Sequence, residues 1–85
     1  MTYQIEFVSS AAKEFRTLEP SIKRRIASTI DTLSQNPRPV GVRKLRGHQN
    51  LYRIRVGDYH IVYEIDDQVR VLWITRIRYR RDVYR

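Results

Sequence analysis

Apolar and polar side chains alternate most regularly from Tyr52 to Tyr63. The run Tyr52-Arg53-Ile54-Arg55-Val56, then Gly57-Asp58, then Tyr59-His60-Ile61-Val62-Tyr63 has the period of 2 that a half-buried strand requires. Gly57 in first place of a two-residue loop fits a type II′ turn, since glycine tolerates the positive φ needed there. That turn pairs Val56 with Tyr59, Arg55 with His60, Ile54 with Ile61 and Arg53 with Val62. Directly opposed residues share a face. One face then carries Tyr52, Ile54, Val56, Tyr59, Ile61 and Tyr63, and the other Arg53, Arg55, His60 and Val62.

The flanking segments extend this pattern. Residues 2–8 alternate with Tyr3, Ile5 and Phe7 on one side, a first strand. Ser9 and Ser10 offer an N-cap, and Ala11, Phe15 and Leu18 follow at helical spacing. Pro20 can open a second helix, in which Ile22, Ile26, Ile30 and Leu33 form one apolar stripe before Asn36-Pro37. Residues 37–50 read as a loop punctuated by Pro37, Pro39, Gly41 and Gly47, with Leu45 as an anchor. A turn at Asp66-Asp67-Gln68 precedes a last strand from Val69 to about Arg78. A three-residue turn there sets Val62 opposite Leu72 and His60 opposite Ile74.

The order is β-α-α-β-β-β, an α+β fold. The helical hairpin packs on one face of a four-stranded, mainly antiparallel sheet. Tyr52, Ile54, Ile61, Tyr63, Val71 and Trp73 are expected under the helices. The opposite face is expected to show Arg53, Arg55, His60, Arg76 and Arg78 around a floor of Val62, Leu72 and Ile74. Two helices cover one face only, which leaves this second face as the binding surface.

Composition adds direction. The 85 residues suit one domain, 1–85, with one modest core. There is no cysteine, so disulfides and thiolate metal sites are excluded. No basic-then-apolar leader opens the chain, and no apolar run approaches the ~20 residues of a membrane span. A soluble, cytoplasmic protein without membrane contact is expected. The net charge is +8 and lies almost wholly in residues 38–85, which carry twelve basic and five acidic side chains. Fourteen of the seventeen basic residues are Arg, the side chain suited to planar, bidentate phosphate contact. A basic half rich in Arg and Tyr points to nucleic acid; the plainer reading is a solvated face.

Phosphate-loop motifs are absent, and His48 and His60 do not stand at metal-ligand spacing. The chemistry left is RNA cleavage without a metal or other cofactor. It needs a base at the 2′-hydroxyl, cations for the developing phosphorane charge and an acid for the 5′-oxygen. A ring to stack a splayed base helps. Arg53, Arg55, Arg78, Arg80 and Arg81 can supply charge, and Tyr79 and Tyr84 can stack or donate a proton. His60 is the open-face group that titrates near neutrality, although a strand histidine is more often structural.

Three blocks resemble the RelE-type toxins of the RelE/ParE superfamily: Lys44-Leu45-Arg46-Gly47, the run from Leu51 to Tyr63, and Arg80-Arg81-Asp82-Val83-Tyr84. The element order matches as well, so the resemblance spans the chain. It implies the toxin of a toxin–antitoxin pair, an endoribonuclease that cuts mRNA in the ribosomal A site. It implies a cognate antitoxin as partner, in a hetero-oligomer. By position, Arg53 and Arg55 match the paired basic residues that bind phosphate, one of them implicated in activating the 2′-hydroxyl. His60 matches a residue, usually Arg, at the scissile phosphate. Arg78 or Arg80 matches the basic residue that stabilises the transition state, and Tyr84 a tyrosine that stacks or assists proton transfer. Lys44, Arg46, Arg76, Tyr79, Arg80 and Arg81 are the expected further RNA contacts.

Two departures shape the chemistry. His60 stands where many relatives carry Arg, and Arg78-Tyr79 where many carry Gly-His. Arg keeps its proton above pH ~12 and is a poor base, so His60 is the expected base and the arginines electrostatic. The alternatives are a ParE-like toxin that blocks DNA gyrase, and a catalytically impaired module of the same fold that binds RNA or a partner.

Overall fold

The computed structural model describes residues 2–47 and 49–79. Its elements are β1 (Gln4–Phe7), α1 (Ser9–Arg16), α2 (Pro20–Gln35), β2 (Arg43–Lys44), β3 (Leu51–Val56), β4 (Tyr59–Asp66) and β5 (Val71–Tyr79). The strands form one mixed sheet in the order β1-β5-β4-β3-β2, with β1 parallel to β5 and the other pairs antiparallel. The sheet has five strands rather than four. The extra one is β2, two residues from the expected loop that pair with Arg53 and Tyr52. So short a segment carries no readable alternation.

Both helices form as their stripes require. Pro20 occupies the first turn of α2, and the Glu19 carboxylate accepts from the Ser21 backbone N–H at 3.3 Å. The expected serine cap of α1 is not formed: the helix already starts at Ser9, and Val8 takes the cap position in extended geometry. The Val8 N–H instead donates to Ile74 O at 3.0 Å, so the chain enters α1 while still tied to β5. Ala11, Ile26, Ile30 and Leu33 close on Tyr52, Ile61, Tyr63, Ile65, Leu72, Ile74 and Ile77 as one core.

The hairpin forms in the expected register, Val56 with Tyr59 through Tyr52 with Tyr63. Gly57 has φ +59° and Asp58 keeps a negative φ, as a type II′ turn demands.

The β4–β5 pairing departs from expectation. His60 lies opposite Arg78 and Val62 opposite Arg76, not Ile74 and Leu72. The connection is longer than three residues. Asp66 stays paired with Val71, its carboxylate accepts the N–H groups of Gln68 and Val69, and Arg70 turns the chain at φ +58°. The register then shifts between Val62 and Tyr63, which leaves Thr75 as an extra residue on β5. Its hydroxyl donates to Val62 O at 3.0 Å. Such a bulge swaps the faces of the residues beyond it. Leu72 and Ile74 therefore point at the helices, fully buried, while Arg76 and Arg78 stay on the other side. Trp73, expected in the core, pairs with Glu64 on the open face and is 38% exposed.

The end of the sheet beyond the β4–β5 turn is fastened by polar contacts. Arg38 bridges to Asp67 at 2.8 Å and donates to the Tyr52 hydroxyl; the Tyr3 hydroxyl also donates to Asp67, at 2.6 Å. The two hydrogen bonds, from Arg38 first and Tyr3 second, pull the Asp67 carboxyl down to about 2. The same contact with Asp67 raises Tyr3. Burial pushes up the hydroxyl of Tyr63, which donates to Pro37 O at 2.7 Å.

Candidate functional site

The open face is built in rows set by the ladders. Arg43, Arg53, Val62 and Arg76 stand across β2, β3, β4 and β5, and Arg55, His60 and Arg78 form the next row. The floor of this face is smaller than expected, because the bulge has sent Leu72 and Ile74 to the helices. Val62 and His60 remain, 8% and 4% exposed although no helix covers them. Each lies between two arginines on the flanking strands, whose long aliphatic stems can shield a short side chain while the charged heads reach water.

A cleft of ≈ 410 Å³ opens beside this floor, lined by Gly41, Arg43, Arg53, Arg55 and His60. Three of the five lining residues are arginines, and none is acidic. The Arg55 Nε donates to Gly57 O at 2.8 Å, so its own turn fixes the start of that guanidinium. The remaining N–H groups of a guanidinium can bind two oxygens of one anion. A neutral imidazole beside them can take a proton. The cleft therefore combines anion binding with one group able to act as a base.

Arg53, Arg55 and His60 thus meet as the pattern predicted. Arg43, from the stretch 37–50 expected as a loop, joins them because β2 lifts it onto the sheet edge opposite Arg53. Arg78 reaches the same face opposite His60, but its Nε lies 2.7 Å from Glu14 Oε2. Glu14 Oε1 also accepts the Ile77 N–H at 2.8 Å. One carboxylate of α1 thereby caps the edge of β5 where β1 has ended and holds the Arg78 side chain to that edge.

Other expected contacts sit elsewhere. Arg76 is exposed on the open face, opposite Val62. Lys44 pairs with Tyr52 and so alternates to the helix side; with Arg46 it lines a separate hollow beyond the cleft. Tyr79 pairs with Tyr59, and their rings meet edge to face at 5.5 Å on the helix side. Arg80, Arg81 and Tyr84 lie outside the described residues. Among the described residues no group of three or more His, Asp or Glu side chains gathers as metal ligands, and no helix is long and apolar enough to cross a membrane.

The family model for the ParE toxin of type II toxin–antitoxin systems, parDE, matches residues 5–84. The chain belongs to the RelE/ParE toxin family. Toxin RelG of Mycobacterium tuberculosis is 30% identical to it, over 100% of this chain and 99% of its own. The mRNA interferase toxin RelE of Escherichia coli K12 is 28% identical, over 99% and 92%. A chain of the archaeal RelE–RelB complex from Pyrococcus horikoshii superposes with a TM-score of 0.82 at 30% identity, covering 94% of this toxin and 97% of that chain. The fold and the RelE-type character of the toxin follow from these matches.

Proposed function

We propose that this toxin is an endoribonuclease that cuts mRNA in the ribosomal A site and so halts translation. The observation that carries the reading is the cleft that places His60 among Arg43, Arg53 and Arg55. The Escherichia coli relative named as an mRNA interferase supports it at 28% identity.

In this reading the neutral imidazole of His60 takes the proton of a ribose 2′-hydroxyl. The 2′-oxygen attacks the adjacent phosphorus, the bond from phosphorus to the 5′-oxygen breaks, and an acid returns a proton to that oxygen. The products are a 2′,3′-cyclic phosphate and a 5′-hydroxyl. Arg53 and Arg55 neutralise the charge that develops on the phosphorane oxygens, which supplies without a divalent cation the electrostatic stabilisation that phosphoryl chemistry needs. Arg78 assists from beyond His60, and Tyr84 stacks a base or delivers the leaving-group proton. A RelB-type antitoxin is the partner that silences the toxin by covering this face in a hetero-oligomer.

Expression in bacteria with mapping of mRNA ends tests the reading. Cuts within codons of translated messages support it. The matching family model is named for ParE, which favours one competing reading, inhibition of DNA gyrase. Loss of supercoiling activity with intact mRNA would establish that reading instead.

A further inference from the structure

Arg55 lines two cavities. One is the His60 cleft. The other is a groove of ≈ 530 Å³ between α2 and the hairpin tip, lined by Arg24, Arg25, Ser28, Thr29, Arg55, Val56 and Gly57. Three arginines, a serine and a threonine line this second groove, with no carboxylate among them, and the Thr29 hydroxyl donates back to Arg25 O at 3.1 Å; Asp58, next in the turn, lies outside it. Among the described residues neither Arg24 nor Arg25 is ion-paired, since the two salt bridges engage Arg38 and Arg78. The groove is also shaped around Arg25. A side chain at Gly57 would meet the Arg25 guanidinium at 3.1 Å, so the glycine lets that group lie against the hairpin backbone.

Several guanidiniums lining one groove without a carboxylate raise the local positive potential and favour an anion there. The cleft and the groove share Arg55, which makes a basic path from Arg43 and Arg53 through Arg55 to Arg25 and Arg24. We propose that the α2 groove is a second phosphate-binding subsite, which holds the backbone of the same RNA strand flanking the nucleotides in the His60 cleft. The inference rests on the RNA reading above. It assigns the groove to sequence-independent backbone contact, since most hydrogen bonds that arginine and hydroxyl side chains make to nucleic acid go to phosphate and sugar.

The test uses the full chain and single-stranded RNA with 2′-O-methyl groups, which binds but is not cut. Affinity is measured against salt for a dinucleotide and for a longer strand. The double variant Arg24→Ala/Arg25→Ala, altered only at exposed helix positions, is compared with the unaltered toxin, and its Tm confirms folding. The expected result is unchanged dinucleotide binding. For the longer strand, binding weakens roughly tenfold and the slope of log affinity against log salt falls by about 1.4, two phosphate contacts' worth. Equal affinity and slope for the longer strand would overturn the subsite while leaving the cleft reading intact. Loss of antitoxin affinity without loss of RNA affinity would also overturn it, by assigning the groove to a protein partner. No binding of the longer strand by the unaltered toxin would likewise overturn the subsite, whereas the cleft reading falls only if ribosome-bound mRNA is left uncut.

Discussion

Arg55 stands directly across the β3–β4 ladder from His60, and the two line one cleft. The Gly57 turn sets this pairing, because a slip of one residue in the hairpin would put them on opposite faces. It brings a fixed positive charge next to the one imidazole of the cleft.

His60→Gln keeps the size and polarity of the side chain but cannot act as a base. Cleavage of ribosome-bound mRNA is expected to fall ~10²–10⁴-fold, the usual contribution of a general base. The unaltered toxin loses rate as pH falls through the titration of the imidazole, since only its neutral form accepts the proton. Single-turnover rates across pH check this, and the acid limb disappears in the variant.

Arg43 belongs to the cleft while Lys44, its neighbour, faces the other way. Arg43→Ala should weaken binding of uncleavable RNA and reduce the salt slope by about 0.7, one single-strand phosphate contact. Lys44→Ala should change the slope less. Fluorescence anisotropy titrations at several salt concentrations separate the two.

Leu72 is fully buried and Trp73 is exposed, the reverse of simple alternation from the hairpin. Leu72→Ala is expected to cost about 2–5 kcal/mol, as a buried leucine truncated in a close-packed core does. Trp73→Ala should cost about 1 kcal/mol or less. Urea denaturation of both variants reports the difference, and similar costs would contradict the bulge at Thr75.

Asp67 titrates at about 2 in the folded chain, below its ordinary 3.8, chiefly because Arg38 donates to it. A depressed carboxyl contributes stability above its unfolded value and loses it as pH falls through the folded one. Asp67→Asn should therefore lower the Tm at neutral pH, and the gap to the unaltered toxin should close between pH ~4 and pH ~2. Thermal melts over that range check the sign.

Gly57 needs φ +59° and leaves its Cβ position to the Arg25 guanidinium. Gly57→Ala should destabilise the fold by about 1 kcal/mol or more, through strain at the turn and the displaced arginine. Denaturant midpoints give the value.

The parts of this fold that short-range chemistry dictates were readable from the chain. Period 2 and the Gly57-Asp58 turn set the hairpin register, and the Ile26, Ile30 and Leu33 stripe set the packed side of α2. The β4–β5 register was not readable in the same way. It depends on the Asp66 carboxylate taking over two N–H groups and on one extra residue at Thr75, which puts Leu72 and Ile74 on the face opposite Arg76 and Arg78. The apolar spacing of Leu72, Ile74 and Ile77, two residues and then three, is the signal that marks the bulge. At the site, Arg53, Arg55 and His60 came from the hairpin pattern. Arg43 did not, because a two-residue edge strand has no period of its own and forms only through pairing with β3. The hold of Glu14 on Arg78 is likewise tertiary, made across 64 residues of chain.

The most direct test of the open face as a ribonuclease site is the fate of an mRNA with one 2′-deoxy nucleotide in the A-site codon. It is presented to the toxin on a programmed ribosome beside its all-ribo counterpart, and the ends are mapped. Cleavage of the all-ribo message to a 2′,3′-cyclic phosphate and a 5′-hydroxyl, with the deoxy message left intact at that position, is the predicted result. Equal cleavage of both messages, or of neither, would contradict the account.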